Sequence, residues 1–238
     1  MEIQNKIYLV IPTYNELDNI KDLLLTIFNL KLNNLHVIVV DDNSPDGTYK
    51  IVNDLINHNF NLKLIKRKKK MGIGSAYVLG FNLAVAEGAN LILQMDADFS
   101  HDPEEIPNFI KAIENGAQVV IGSRYIAGGA IVNWGRLRKF MSKTAIYFSR
   151  VMLKFKTHDI TSGFRCYKKE VISRLNLGDI KSNGYAFQEE LLYRCEQNNF
   201  KIVEIPIKFI DRSYGRSKLS VLEIIKFFLT IFRLKFKR

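Results

Sequence analysis

Cysteine is scarce in this sequence. Its two residues, Cys166 and Cys195, form neither a metal-binding spacing nor a disulfide framework. Because disulfides belong to oxidising compartments, we expect a protein of a reducing compartment. The chain begins with Met1, Glu2 and Gln4 rather than with a basic segment and an apolar run, so we expect no secretory signal.

Acidic side chains are absent from one long stretch. Residues 115–158 contain no Asp or Glu, although the chain of 238 residues has 24 of them. The same stretch contains eight basic residues: Arg124, Arg136, Arg138, Lys139, Lys143, Arg150, Lys154 and Lys156. Further basic residues occupy positions 66–70 and the C-terminal tail, and the net charge is +11. This distribution predicts an anionic partner: nucleic acid, a phosphorylated substrate or lipid headgroups.

Complete nucleotide-binding fingerprints are also missing. Residues 72–75, GIGS, precede a predicted helix but lack the third glycine of the dinucleotide motif, because Tyr77 stands there. They also lack the Lys-Ser/Thr pair of a P-loop. The main-chain N–H groups of such a turn can still bind phosphate.

An acidic pair follows a short, mostly apolar run. Residues 91–95 predict a buried strand, and Asp96 and Asp98 come directly after it. Side chains two residues apart on an extended segment point the same way, so both carboxylates can face one Mg²⁺ and the phosphates it carries. The alternative is an ordinary turn or a helix cap.

Apolar periodicity predicts alternating strands and helices over the first half of the chain. We expect strands at 6–11, 35–40, 62–65, 91–95 and 117–121, and helices at 17–30, 48–56, 76–86 and 103–114. Such alternation predicts an α/β fold with a mainly parallel sheet covered by helices on both faces. Residues 202–210, which Pro206 interrupts, are expected to form an edge strand.

Several motifs in order resemble one enzyme family. They are PTYNE at 12–16, VDDNSPDGT at 40–48, GIG at 72–74, DAD at 96–98, GSRY at 122–125, SGFR at 162–165 and FQEE at 187–190. Together with Gly128, Gly129, Trp134, Arg138 and residues 214–219, they resemble the inverting family-two nucleotide-sugar transferases. Within that group the chain is most similar to the dolichol- or polyprenol-phosphate mannosyltransferases, over about residues 6–222. The resemblance implies a Rossmann-like GT-A fold.

The resemblance also implies a set of site residues. The nucleotide sugar would be held by Pro12, Tyr14, Glu16, Val40, Asp42, Asp96, Ala97, Asp98, Arg124, Arg212 and Lys218. Asp96 and Asp98 would bind Mg²⁺ or Mn²⁺, although Ser100 replaces a glutamine that some relatives carry. The phosphate of the acceptor would be bound by Arg124, Arg138 and Ser142. Asp98, Arg124 and Arg138 are therefore the expected catalytic residues.

The implied reaction is metal-dependent transfer of mannose from GDP-mannose to a dolichyl or polyprenyl monophosphate. A phosphate monoester is mostly dianionic at neutral pH, so it needs no general base to become a nucleophile. It needs a cationic site that aligns one oxygen behind the anomeric carbon, and arginine suits this because it binds phosphate bidentately. Direct attack inverts the anomeric centre. The role of Gln188, Glu189 and Glu190 stays open.

Two predicted helices combine basic and apolar residues. The first covers residues 137–156 and the second residues 219–238, and both compositions are typical of amphipathic interfacial helices at a membrane surface. The alternative is ordinary packing on the core or on a partner subunit. We therefore expect a catalytic domain at 1–218, with an acceptor- and membrane-facing segment at 124–158, followed by a basic helix at 219–238. The expected location is the cytoplasmic face of a membrane, peripherally, and a small membrane partner subunit is compatible with it.

Three other interpretations remain from the residues alone. The same scaffold could use UDP-glucose, since residue chemistry does not separate guanine from uracil here. The net charge suggests a nucleic-acid-binding protein, but the interleaved apolar residues and the lack of a known module argue against it. A catalytically inactive regulatory subunit is disfavoured by the intact Asp96 and Asp98 pair.

Overall fold

The computed structural model describes residues 5–58, 61–184, 186–211 and 221–236, with side chains from residue 225 onward in the last range. Strands and helices alternate as the sequence predicts. In chain order they are β1 (Ile7–Thr13), α1 (Leu17–Asn29), β2 (Leu35–Asp41), α2 (Thr48–Ile56), β3 (Leu62–Lys66), α3 (Ile73–Ala86), β4 (Leu91–Gln94), α4 (Ile106–Glu114), β5 (Val119–Ser123), β6 (Ala130–Val132), α5 (Arg136–Leu153), β7 (Arg165–Lys168), α6 (Lys169–Arg174), α7 (Ala186–Gln197), β8 (Ile202–Pro206), β9 (Lys208–Ile210) and α8 (Val221–Phe236).

Seven strands form the central sheet, in the order β3-β2-β1-β4-β7-β5-β8. Only β7 runs antiparallel to its neighbours, and the predicted mainly parallel sheet is thereby confirmed. Because β1, β2 and β4 are parallel and adjacent, their carboxyl ends lie along the same edge. The segments after these strands therefore meet at one place.

The alternation of side chains along the strands gives the sheet two buried faces. Val10 of β1 belongs to the core beneath α3, α5, α7 and α8. Its neighbours Leu9 and Ile11 belong to the core beneath α1, α2 and α4. Helices on both faces explain why these strands read as continuous apolar runs.

Two predicted strands differ from the observed ones at proline. β1 continues through Pro12 to Thr13, whereas the prediction ended it at Ile11. Proline is tolerated there because β4 pairs with β1 only as far as Val10, so no ladder bond on that side is lost. The edge strand predicted at 202–210, interrupted by Pro206, is confirmed for β8, which lies at the edge of the large sheet and ends at Pro206. Its continuation is wrong, because β9 pairs with β6 in a separate two-stranded sheet.

The C-terminal helix α8 packs on the protein. Phe227, Ile231 and Leu234 are buried in the core that α5 and α7 share. Arg233, which interrupts the apolar run of this helix, forms an ion pair with Glu190 of α7 at 2.5 Å. Among the described residues, no helix is both long enough and apolar enough to cross a membrane.

Candidate active site

The acidic pair lies in a tight loop after β4. Asp96 accepts a hydrogen bond from the Tyr77 hydroxyl at 3.1 Å, and Asp98 accepts one from the Ser100 main chain at 3.1 Å. The loop turns at Phe99, whose φ of 57° lies in the left-handed region. Gly163 leaves room beside the pair, because a Cβ on it would lie 3.2 Å from Asp96 Oδ2. The loop thus holds Asp96 beside Gly163, and the buried Asp98 two residues further along the chain.

His101 stabilises this loop through a contact with its main chain. Its Nδ1 accepts the Asp96 main-chain N–H at 3.3 Å, and its ring stacks on Phe164. Burial lowers the pKa of His101, opposed by Asp96 and Asp98, so the imidazole is neutral at physiological pH. A neutral ring whose Nδ1 already accepts a hydrogen bond acts here as a support for the main chain.

The donor atoms of the loop fit a hard divalent cation. No group of three or more His, Cys, Asp or Glu side chains converges within the described ranges. A site with Asp96 and Asp98 alone suits Mg²⁺ or Mn²⁺, whose coordination is completed by substrate phosphates and water. The Ser100 hydroxyl is buried and has no hydrogen-bond partner within the described part of the chain. It is therefore an oxygen available to such a cation or to a water bound to it.

Asp41, at the end of β2, was missed by the sequence analysis as a site residue. It is fully buried and accepts hydrogen bonds from the Thr13 hydroxyl at 2.9 Å and from the Ser44 main chain at 2.9 Å. It thereby ties the end of β1 to the loop after β2. The sequence does show two consecutive carboxylates, Asp41 and Asp42, at the end of an apolar strand. Only the groups packed around them in the fold distinguish the contacts of Asp41 from those of Asp42.

Asp42 holds a glycine turn in place. Its carboxylate accepts from the main-chain N–H groups of Gly72 at 2.8 Å and Met71 at 3.2 Å. It also forms an ion pair with Arg67, which the sequence placed in an exposed basic block but which is buried. Burial lowers the pKa of Arg67, and the neighbouring Asp42 opposes that shift. The carboxylate expected to bind nucleotide therefore also organises the GIGS turn.

The remaining predicted donor residues surround this turn. Tyr14 lies under the Lys70 ammonium, which is 3.8 Å from the ring centroid. The Glu16 main chain donates to Thr48, and its carboxylate accepts from Asn19 at 3.1 Å. Pro12, Val40 and Ala97 lie at or just beyond the carboxyl ends of their strands. Arg212 and Lys218 lie outside the described residues.

Arg124 is buried in an ion pair. Its Nε and Nη2 atoms each lie 2.7 Å from the Asp159 carboxylate, and Nη2 also donates to Thr161 at 2.7 Å. Asp159 is the first carboxylate after the acid-free stretch, and Arg124 is the first arginine within it. The fold brings the two together. The pKa of Asp159 is lowered, because Arg124 outweighs the desolvation that would raise it. The charge of Arg124 is balanced within the protein.

Arg138 and Ser142 lie on one side of α5. The Arg138 guanidinium stacks 4.0 Å from the Trp134 ring centroid and donates to Asp211 at 2.7 Å. The Ser142 hydroxyl lies 2.9 Å from the Tyr125 hydroxyl. Arg138 is about one-third exposed, so an anion can reach it.

The three consecutive polar residues near the start of α7 have different environments. Gln188 accepts from Gln94 of β4 at 2.7 Å. Glu189 is fully buried, and its oxygens have no hydrogen-bond partner within the described ranges; burial raises its pKa well above the usual value. Glu190 accepts from Ser182, Arg194 and Arg233. Arg165, also fully buried, donates to the Gln188 carbonyl and fixes the start of the helix.

The sheet, its two helical layers and the acidic loop after β4 define a GT-A-type glycosyltransferase. Residues 8–175 match the family model for glycosyl transferase family 2. The chain belongs to this family and is a glycosyltransferase.

Two relatives cover most of the chain. A polyprenol monophosphomannose synthase of Mycolicibacterium smegmatis is 41% identical over 212 residues, which are 89% of this chain and 80% of the relative. An undecaprenyl-phosphate mannosyltransferase of Micrococcus luteus is 37% identical over 217 residues, which are 90% of this chain and 88% of the relative.

Solved structures support the fold. Glucosyl-3-phosphoglycerate synthase from Mycobacterium tuberculosis, in complex with Mn²⁺, UDP and glucosyl-3-phosphoglycerate, superposes with a TM-score of 0.71 at 18% identity. The match covers 97% of this chain and 80% of that one. The same enzyme with Mg²⁺ and UDP also gives a TM-score of 0.71, at 18% identity over 97% of this chain and 79% of that one.

Proposed function

We propose that this protein transfers mannose from GDP-mannose to a polyprenyl or dolichyl monophosphate, with inversion. The observation that carries the proposal is the identity of 41% and 37% to two lipid-phosphate mannosyltransferases over most of their lengths. The site residues are consistent with it, because the loop after β4 offers two carboxylates for a cation and α5 offers a partly exposed arginine for a phosphate.

The donor end of the site rests on the loop after β4. Asp96 and Asp98 would hold Mg²⁺ or Mn²⁺, with the Ser100 hydroxyl in reach of its coordination sphere. When bound, the cation would neutralise charge that develops on the nucleoside diphosphate leaving group. Tyr14, Asp42 and the residues beside them would hold the nucleoside. Arg212 and Lys218 are proposed to close over the diphosphate.

The acceptor end rests on the basic residues before and along α5. Arg138, which already stacks on Trp134, would exchange its contact with Asp211 for the phosphate of the lipid. Ser142 would add a hydroxyl donor. Arg124, held by Asp159, would contribute at the inner side of the phosphate, where its charge-assisted hydrogen bonds are preorganised.

The surroundings of α7 support a reaction without a general base. Burial raises the pKa of Glu189 and thereby favours its protonated form, and Glu190 is engaged by two arginines. Neither is poised to accept a proton from an incoming hydroxyl. A phosphate acceptor needs no such base, because it arrives ionised.

The exposed apolar side chains of α5 and α8 support a peripheral membrane location. Leu137, Phe140 and Tyr147 on α5 and Phe236 on α8 are 73%, 68%, 71% and 74% exposed. They lie among Lys139, Lys143 and Lys235, a composition suited to anionic headgroups. We propose that segment 124–158 faces acceptor and membrane, that residues 1–218 form the catalytic domain, and that helix 219–238 joins it to the cytoplasmic membrane face. A small membrane subunit could bind the same surface.

Transfer of labelled sugar into an organic-extractable product tests the proposed function. The purified protein is incubated with polyprenyl phosphate, Mg²⁺ and either GDP-mannose or UDP-glucose, and a reaction lacking the lipid is the control. We expect label to be extracted only from GDP-mannose and only with lipid present. Transfer of glucose from UDP-glucose, or transfer to a water-soluble acceptor alone, would contradict the proposal.

A further inference from the structure

Asn183, in the segment before α7, contacts the GIGS turn from the side opposite to Asp42. Its Oδ1 accepts the Gly74 main-chain N–H at 3.2 Å and that of Gly184 at 2.9 Å. Its Nδ2 donates to the Met71 carbonyl at 2.7 Å. One amide side chain thus satisfies a donor and an acceptor of a turn more than a hundred residues away.

The turn is therefore held between two side chains. Asp42 accepts the N–H groups of Met71 and Gly72, while Asn183 takes the Met71 carbonyl and the Gly74 N–H. Gly72 has a φ of 93°, which favours glycine, and a Cβ on it would lie 2.6 Å from the Asn183 amide. Neither Gly72 nor Asn183 can therefore move without disturbing the other.

Asn183 is itself positioned by contacts with α8. The preceding Ser182 donates its main-chain N–H to Glu190 at 3.0 Å and its hydroxyl at 2.5 Å. Arg233 of α8 donates to the same Ser182 hydroxyl at 2.7 Å and to Glu190 at 2.5 Å. Hydrogen bonds thus connect the C-terminal helix to Ser182, and the next residue along the chain, Asn183, is hydrogen-bonded to the glycine turn.

We propose that Asn183 is a positioning residue for the donor nucleotide, and that Arg233 maintains its position through Ser182 and Glu190. By fixing the Met71 carbonyl and the Gly74 N–H, Asn183 sets the main-chain geometry of the turn that Asp42 holds at the nucleotide pocket. This inference rests on the proposed donor pocket. It adds that nucleotide affinity depends on the segment before α7 and on α8, which supply no predicted donor ligand within the described residues.

Nucleotide affinity, measured by calorimetry with GDP and Mg²⁺ and repeated with UDP, tests the role of Asn183. In Asn183→Ala we expect the Kd of GDP to rise about tenfold, since two hydrogen bonds to the turn are lost. The KM for the sugar nucleotide should rise by a similar factor, with kcat and the KM for lipid phosphate nearly unchanged. Asn176→Ala is the matched control, because this exposed asparagine contacts Asp179 and not the turn.

The second variant tests the connection to α8. Arg233→Met should raise the Kd of GDP about threefold, because Ser182 and Glu190 lose a charged donor while the Asn183 bonds remain. Arg174→Met removes the same charge at an exposed position of α6 and should leave the Kd unchanged. Melting temperatures of all four variants show whether each remains folded at the temperature of the titration.

The outcomes separate this inference from the proposed function. If the wild type binds GDP and folded Asn183→Ala binds it with the same Kd, the positioning role is overturned and the proposed function stands. The positioning role is also overturned if Asn183→Ala lowers the melting temperature without changing the Kd of GDP. If the wild type binds neither GDP nor UDP, the proposed donor pocket is wrong and the inference falls with it.

Discussion

The strand-end carboxylates and the basic helix α5 are built in different ways. Asp41 and Asp42 follow β2, and Asp96 and Asp98 follow β4, the two parallel strands on either side of β1; all four are buried or partly buried. The partners described above are mostly main-chain N–H groups and hydroxyls, and they lie no more than 30 residues away in the chain. The basic residues near α5 obtain their partners from distant segments, as Arg124 does from Asp159 and Arg138 from Asp211.

This contrast separates the expected roles of the two regions. A preorganised acidic loop suits the binding of a cation and diphosphate, whose geometry is fixed. A helix with one-third-exposed arginine and exposed apolar side chains suits a lipid whose phosphate arrives from a surface. Mutations in the acidic loop should therefore affect chemistry, whereas those on α5 should affect how the acceptor and the membrane are bound.

The largest expected effect is at Asp98. Asp98→Ala should lower sugar transfer about a thousandfold, because the cation loses one of its two carboxylates and the leaving group loses its charge stabilisation. Binding to anionic liposomes should be unchanged. The measurements are labelled transfer and vesicle co-sedimentation, with Glu104→Gln as a control at an exposed carboxylate of the same segment. Turnover retained in Asp98→Ala would refute the metal role.

Arg138 tests the acceptor side. Arg138→Ala should raise the KM for lipid phosphate about tenfold and change the KM for the nucleotide sugar little, since a charged hydrogen bond to phosphate is lost. Arg136→Ala, in the same first turn of α5, should have a small effect on either constant. Steady-state kinetics with each substrate varied in turn provides both values. Equal increases for the two substrates would count against an acceptor site here.

The exposed apolar side chains of α5 test the membrane surface. The double variant Leu137→Ser and Phe140→Ser should weaken partitioning onto anionic vesicles about fivefold, because two partly inserted side chains lose apolar burial. Affinity for GDP should be unchanged in the same protein. Co-sedimentation against vesicle concentration gives the partition coefficient. Equal partitioning of variant and wild type would place the membrane contact on another surface.

The smallest effect on transfer is expected at Glu189. Its raised pKa means that the folded protein holds a proton that the unfolded chain releases near pH 4.3, so this group makes stability fall as pH rises above that value. Glu189→Gln cannot ionise and should melt about 3 °C higher than wild type at pH 7.5. The difference should shrink below about pH 4.3 and vanish by about pH 3, where both states of the wild type are protonated.

Sugar transfer by Glu189→Gln distinguishes a carboxyl that takes no part in the reaction from one that acts as a general base. Activity within about twofold of wild type is expected if no general base is used. A loss of about a hundredfold in a protein with an unchanged or higher melting temperature would make Glu189 a catalytic base. That result would contradict a phosphate acceptor.

The sequence predicted much of the fold because its signals are local. Helix α2 has the predicted bounds, and β2 differs from its prediction by one residue. The division of residues 202–210 between two sheets was not predicted, since pairing partners such as β6 are distant in the chain. Asp96 and Asp98 were found because a buried strand and two acids are consecutive, whereas the separate environments of Asp41 and Asp42 depend on neighbours from other loops.

The basic residues show where local reasoning ends. Arg67 belongs to a run of five basic residues that suggests a solvated face, yet it is buried against Asp42. Arg233 interrupts an apolar run that suggested an interface, yet it bonds to Glu190 and Ser182. Charge density along the chain predicts an anionic partner but not which cations are already neutralised.

By itself the sequence determined the alternation of strands and helices, the acidic loop and the acid-free basic stretch, because each follows from residues close together in the chain. Only the tertiary structure decided which charges are paired, which carboxyl stays protonated and which amide holds the glycine turn. The reason is physical: desolvation and hydrogen bonding depend on groups that meet only when distant segments pack.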